Sequence, residues 1–491
     1  MGELNVIVVA IVVIYMMAML FIGWYSYTKI KTNTDFAVAG RHLGPIMMAG
    51  AVAATEIGGG SSLGVVQNGM SGYGLSASWY IITMGLAFVI MSFIAPKLRV
   101  FEVKTVPEYF RRRYGREAGL VTGIIMLLPL IGLAAGQFIA SAVIASTMLG
   151  IDYKSAVILM TAVVTVYSVM GGLWSVTLTD FIQVFLIVVG MAVAIPFALD
   201  FAGGWANVKA NIPEGTLKLI GGPDKSYSIT AIIALVIMYL ATFCVGQEAV
   251  SRFYAAKDAK TARQGAWLAA LINFIYAFIP TILGIIVLAL ITMGKFDPAL
   301  FEKVGTRYAL PVLAINAMPA VIVGFLFAGI ISATMSSASA DMLGAGAIFA
   351  NDIYKQYIRK SADSAEVMKV TRISMVLVGI LSMAIAILNT QSLITILMFC
   401  FTLRAAGSLF PYVIGMYWPK ASKAGCIASL IAGTVVVIYM DHFSDKTLFG
   451  IHFTQTIIPG LVAALIAFIA FSLLMPPKVE TTELAPPDDI D

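Results

Sequence analysis

The chain has 491 residues, of which 60% are hydrophobic and only 12% charged, with a net charge of +5. A soluble domain carries about 25% charged residues to cover its core, so this composition excludes a soluble enzyme, a nucleic-acid-binding module and a disordered chain. The surface must face lipid, and the apolar stretches have the length of helical spans, about 20 residues, rather than of short alternating barrel strands.

Thirteen apolar segments follow one another, at 4–27, 45–70, 74–95, 119–149, 155–170, 176–200, 229–251, 264–293, 318–350, 368–388, 392–418, 424–440 and 456–475. The first lacks a basic leader and a small-residue cleavage site, so it reads as a membrane helix. An odd number of spans puts the termini on opposite sides. Of the 31 Lys and Arg residues, twenty-two fall on one side, including Lys29, Lys31, Arg41, the run Arg111 to Arg113, Arg252, Lys257 and Lys423. Eight fall on the other, from Lys154 to Lys446, and Arg404 lies within a span. The positive-inside rule then predicts an external N-terminus and a cytoplasmic C-terminus.

Between the spans, Thr105-Val-Pro-Glu108 reads as a capping box that opens a short basic helix, Tyr109 to Arg116, at the cytoplasmic face. The segment 295–316 reads as a short external helix. Residues 478–491, acidic and Pro-bearing, read as a disordered cytoplasmic tail. Cys244, Cys400 and Cys426 lie in or beside apolar runs, and His42, His442 and His452 are scattered, so neither a disulfide nor a metal cluster is expected.

Five ionisable residues fall inside spans: Glu56, Asp180, Glu248, Asp341 and Arg404. Such groups are costly in a bilayer and mark function. Glu56 lies in Ala53-Ala-Thr-Glu-Ile-Gly-Gly-Gly-Ser-Ser62, where three glycines and two serines weaken a helix. A broken membrane helix is tolerable only where it lines a cavity. The same weakness returns five spans later, at Ala241-Thr-Phe-Cys-Val-Gly-Gln-Glu248. Residues 45–200 and 229–418 then form two five-helix halves of opposite orientation, the pattern of an inverted-repeat secondary transporter. The helices 4–27 and 424–475 are additions within a single transmembrane domain, 1–477. In the ninth span, Ala333, Ser336 and Ser337 share a helix face, with Asp341 one turn beyond. Opposite the freed carbonyls of the broken helix, that face makes an oxygen cage for a hard cation.

On these residues the chain resembles the sodium/solute symporter family, whose members carry proline, pantothenate, sugars, sialic acid, iodide or choline. Three motifs carry the resemblance: Thr105-Val-Pro-Glu-Tyr-Phe-Arg-Arg-Arg-Tyr-Gly115, Tyr167-Ser-Val-Met-Gly-Gly-Leu-Trp-Ser-Val-Thr-Leu-Thr-Asp-Phe-Ile-Gln183, and Ala333 to Asp341 with Asn351-Asp-Ile-Tyr354. It implies an all-α polytopic protein with a five-plus-five inverted repeat and two interrupted helices. It also implies sodium-coupled symport into the cell by alternating access, with Na+ as the coupling ion. Location in the plasma membrane follows, with the lipid bilayer and a small-molecule substrate as partners, and neither nucleic acid nor an obligatory protein partner.

By resemblance, the main sodium site maps onto Ala54, Ile57, Ala333, Ser336 and Ser337. Asp180 with Ser336 and Ser339 would form a second sodium site or a release path, although Ala340 stands where a further hydroxyl is expected. The substrate pocket maps onto Glu56, Ser61, Ser62, Gln137, Phe138, Gln247, Glu248 and Arg404. Acids beside one arginine suit an amine-bearing or zwitterionic, amino-acid-like solute, with Glu56 on the ammonium and Arg404 on the carboxylate. In the alternative, Glu56 and Arg404 neutralise each other and the solute is a carboxylate or uncharged, such as pantothenate, a monocarboxylate or a sugar. From other classes, a channel would need a continuous pore, and an enzyme would need a nucleophile-base or metal constellation.

Overall fold

Helix starts follow from local sequence. Ser228, Asp258, Asp363, Ser392 and Ser422 each accept a bond from the backbone N–H three residues on, which satisfies a donor otherwise left orphaned at a helix N-terminus. The computed structural model describes residues 6–27, 43–101, 103–389 and 391–486; the side chains of Gly23, Val304 and residues 171–178 lie outside that description. Lys29, Lys31, Arg41, His42, the centre of the second motif and the tail end 487–491 therefore fall outside it as well.

The helices are α1 (Val6–Tyr27), α2 (Pro45–Glu56), α3 (Trp79–Val100), α4 (Val106–Tyr114), α5 (Arg116–Leu149), α6 (Tyr153–Ala202), α7 (Ile229–Val245) and α8 (Gln247–Ala255). They continue as α9 (Ala259–Tyr276), α10 (Phe278–Thr292), α11 (Ala320–Ile348), α12 (Ser364–Leu388), α13 (Leu393–Val413), α14 (Lys423–His442) and α15 (Ile457–Leu474). Among the described residues, ten helices are long and apolar enough to cross a bilayer, or eleven if α7 and α8, bent by 56°, form one span. Thirteen are expected from sequence. Two features account for the difference. Helix α1 is itself 22 residues long and apolar, but only its part Val6–Ile22, before Gly23, enters that count. The chain beyond the break after α2 also runs on from Gly60 to Val100 as one helical stretch, kinked where Gly72 and Gly74 take φ of 98° and 54°.

The helix α6 is 50 residues long, which would measure about 75 Å if straight. Yet Arg307 stacks on Tyr153 at its start, 4.5 Å from the ring centroid, and Lys295 donates to the Phe201 carbonyl at its end, at 2.5 Å. Residues 295 and 307 are joined by a loop that reaches at most about 42 Å. So α6 is not straight, and its parts Tyr153–Met170 and Thr179–Ala202 are each long and apolar enough to span.

The two halves pack alike. Helix α2 lies on α9 as α7 lies on α3, and α5 lies on α13 as α11 lies on α6. The second limb of α6 is the one that meets α11, because Gly329 sits against the Ile187 backbone. Leu43, just before α2, exchanges backbone bonds with Ala255 and Lys257 around the end of α8. The two half-repeats are thereby tied where each broken helix meets the surface. Outward-facing Phe93, Leu128, Phe185, Leu377 and Ile466 are exposed, as a lipid-facing belt requires.

Three loop expectations change. Helix α4 begins at Val106, because Pro107 suits a first helical turn. Thr105 caps it by accepting from the Glu108 N–H at 3.2 Å, but Glu108 reaches back to the N–H of Lys104, at 2.7 Å, one residue before the cap. The segment 295–316 holds two helices, Pro298–Val304 and Ala309–Ala317, and a small hairpin pairs Thr447–Leu448 with Ile451–His452. In the C-terminal tail, Ala485 donates to the Arg112 carbonyl and accepts from Arg112 Nε, at 3.0 and 2.7 Å, so this part lies along α4.

Candidate sodium and substrate site

The first break is built from its own small residues. Helix α2 stops because Ile57 leaves helical geometry, at φ −80° and ψ 75°. The amides freed there find side chains: Gly58 N–H donates to Ser61 Oγ at 2.9 Å, and Gly59 N–H to Gln137 Oε1 on α5 at 2.8 Å. Ser61 Oγ in turn donates to the Glu56 carbonyl at 2.9 Å. From α11, Ser337 Oγ reaches the carbonyls of Thr55 at 3.1 Å, Ala54 at 3.3 Å and Ala333 at 3.1 Å. Glycine is required at 58, since a Cβ there would stand 2.7 Å from both Gln137 Oε1 and Ser337 Oγ. Of the sodium residues implied by resemblance, Ala54, Ala333 and Ser337 converge directly, with Ile57 at the adjoining turn. A hydroxyl whose hydrogen turns away presents lone pairs to the same point, so this donor set fits a hard cation.

The second break is sharper and carries charge. Gly246 joins α7 to α8, and a Cβ on it would stand 2.7 Å from Arg404 Nη2 and 2.8 Å from Glu248. Arg404 Nη1 pairs with the Glu248 carboxylate at 2.6 Å, and Nε donates to Thr242 Oγ1 at 2.5 Å. The alternative pairing of Arg404 with Glu56 is not the one formed. Arg252, which sequence places in a cytoplasmic loop, is 1% exposed and pairs with Asp180 at 3.1 Å. The bend at Gly246 carries it back into the protein, where it also donates to the Glu248 carbonyl. Ser336 donates to the other oxygen of Asp180, so Asp180 and Ser336 meet each other and not the first break. Ser339 is fully buried and its Oγ has no hydrogen-bond partner.

Glu56 and Asp341 are buried, yet no hydrogen bond or ion pair engages their carboxylates among the described residues. Glu56 Oε1 and Arg404 Nη2 are buried polar atoms without a hydrogen-bond partner. The charges of Glu248, Arg404 and Arg252 act on Glu56, so these groups form one electrostatic cluster.

Other residues assigned to the substrate pocket point elsewhere. Gln247 accepts from the Val106 N–H at 2.8 Å and donates to the Lys104 carbonyl at 3.2 Å, so it fastens the start of α4. Ser62 bonds Tyr276 on α9 at 2.7 Å. Phe138 is fully buried in α5, one residue after Gln137. The residue that sequence reasoning missed is Arg252. Its signal was its place four residues after Glu248, on the same face of one helix.

A transporter is the class that this site defines: two helix breaks facing each other across a five-plus-five inverted repeat, with a cation cage at one and a buried charge cluster between them. Comparisons with known proteins agree. Residues 36–433 match the sodium:solute symporter family model. The chain is 26% identical over 476 residues to the osmoregulated proline transporter OpuE of Bacillus subtilis, covering 94% of this chain and 93% of that one. It is 26% identical over 478 residues to the high-affinity proline transporter PutP of the same organism, covering 93% and 96%. In fold it is similar to a Na+-coupled sialic acid symporter in a substrate-bound outward-open state, with a TM-score of 0.81 at 21% identity, covering 98% of this chain and 100% of that one. It is also similar to the nucleobase-cation-symport-1 transporter Mhp1 in a closed conformation, with a TM-score of 0.60 at 13% identity, covering 91% and 96%. The chain belongs to the sodium:solute symporter family. It is a multi-pass membrane transporter that couples solute symport to sodium, and not an enzyme.

Proposed function

We propose that this transporter carries an amino-acid-like zwitterion into the cell, with sodium held by Ala54, Ile57, Ala333 and Ser337, while Ser336 serves Asp180. One observation carries the substrate class. Glu56 Oε1 and Arg404 Nη2, an acceptor and a donor of opposite charge, are both buried and both without a hydrogen-bond partner in one cluster. An ammonium on Glu56 and a carboxylate on Arg404 satisfy both. The names of the relatives, proline transporters, support the same class. A sugar or another uncharged solute would leave the Glu56 charge without a counter-charge, at a cost.

Sodium at the first break orders the unwound segment that carries Glu56 and so prepares the ammonium site. Each net positive charge moved inward across 100 mV supplies about 2.3 kcal/mol. Asp180, which Ser336 bonds, and the buried Ser339 three residues after Ser336 serve ion release or a second sodium. The excess of Lys and Arg on one side supports an external N-terminus and a cytoplasmic C-terminus in the plasma membrane.

The test is binding to purified protein, read as thermal stabilisation, because a ligand of the folded state raises the melting temperature by mass action. Amino acids should stabilise in sodium and far less in potassium, while sugars should not. Glu56→Gln removes a charge-assisted bond worth about 1.5–3 kcal/mol. It should weaken solute binding by roughly ten- to a hundredfold and change sodium binding alone far less. Equal solute affinity in this variant would refute the assignment.

A further inference from the structure

Six ionisable side chains are buried at the centre of the molecule, and two ion pairs engage four of them: Glu248 with Arg404, and Asp180 with Arg252. The two left over are both acids, Glu56 and Asp341, at 7% and 3% exposure. They belong to one locus. Asp341 lies one turn beyond Ser337 on the same face of α11, and Ser337 Oγ reaches the carbonyls of Ala54 and Thr55, next to Glu56. Asp341 also lies within the field of Glu248 and Arg404. One turn further along, Gly344 brings α11 against the Gln247 side chain, so this face of α11 looks at α8 and the second break.

A carboxylate in a low-dielectric interior needs a cation or takes a proton. One sodium ion supplies one positive charge, and a neutral amino acid adds none. Two free carboxylates, with guanidinium N–H groups left without acceptors at Arg404 Nη2 and Arg252 Nε, complement a ligand with two cationic groups and one carboxylate, of net charge +1. Sodium together with such a ligand cancels the excess of two negative charges.

We propose that Asp341 is a specificity-determining residue that binds a second cationic group of the solute, making the preferred substrate an amino acid with a cationic side chain. This rests on the zwitterion reading above: the α-ammonium goes to Glu56, the α-carboxylate to Arg404 and the side-chain cation to Asp341. Two other fillings have the same total charge, a second sodium with a neutral amino acid, or a proton on Asp341 with one. The charged groups that act on Asp341 and would decide whether it holds such a proton are Glu248, Arg404, Glu56 and Arg252.

The experiment measures binding of lysine, ornithine and arginine, and of proline and alanine, to the full-length protein at fixed sodium and several pH values. Wild type should bind the cationic amino acids more tightly than the neutral ones. Asp341→Asn should weaken the cationic ligands by roughly ten- to a hundredfold and the neutral ones far less. Asp341→Glu, one methylene longer, should keep the preference and move the optimum from lysine toward ornithine. A wild type without cationic preference overturns the proposal even if Asp341→Asn does not fold. If neutral amino acids bind and Asp341→Asn changes only their sodium stoichiometry or pH dependence, the extra charge is sodium or a proton and the proposal fails alone. If no amino acid of either kind binds, it fails together with the zwitterion reading.

Discussion

The two helix breaks solve one problem in different ways. At the first, three successive glycines leave several backbone groups to be satisfied by Ser61, Gln137 and Ser337, and the acid beside them, Glu56, is left without a hydrogen-bond partner for Oε1. At the second, a single glycine makes a 56° bend, and the acid beside it, Glu248, is taken by Arg404. A break opens backbone in both places, but the first leaves its acid without an ion-pair partner and the second uses its acid to hold two spans together. The lesson is that an intramembrane carboxylate is read by its partners, not by its position in a broken helix.

The largest effect should come from breaking the second site. Arg404→Gln leaves Glu248 buried and unpaired, which costs about 3–5 kcal/mol. A marked fall in the melting temperature should follow, and adding Glu248→Gln should recover much of it. A single variant as stable as wild type would show that this pair does not hold the bend.

Next come two glycine substitutions that divide the breaks by function. Gly246→Ala pushes a Cβ to 2.7 Å from Arg404 Nη2, an overpacking cost of about 1–3 kcal/mol that should appear in stability. Gly58→Ala pushes against Ser337 Oγ and Gln137, so it should raise the sodium concentration for half-maximal uptake as well. Identical phenotypes would erase the distinction between the breaks.

Ser337→Ala should act more mildly, since it removes one hydroxyl from the cage, about 1 kcal/mol, or roughly fivefold in sodium affinity. Its neighbour Ser336 bonds Asp180, so Ser336→Ala should alter the rate of sodium-driven transport more than equilibrium sodium binding. A sodium titration and an uptake time course on each variant separate the two. The smallest effect is expected from Gln247→Ala. It loses two hydrogen bonds to the start of α4 and should loosen that contact, seen as faster amide exchange at Val106 with solute affinity nearly unchanged.

Much of this was legible in the residues. The membrane class follows from 60% hydrophobic residues, because composition alone decides which solvent a surface can meet. Both interruptions were visible as glycines beside an acid, since loss of helix propensity is a local backbone property. The cation-facing stripe Ala333, Ser336 and Ser337 was visible because helical periodicity is local as well, although it did not reveal that Ser336 turns to Asp180. What only the tertiary structure decided is which charge meets which. Arg404 finds Glu248 across 156 positions, and Arg252 finds Asp180 across 72. Those choices depend on where distant helices cross and how sharply α8 bends, and they leave Glu56 and Asp341 as the carboxylates without an ion-pair partner in the cluster. Coulomb energy falls with distance and depends on burial, and neither distance nor burial between remote segments is written in the order of residues.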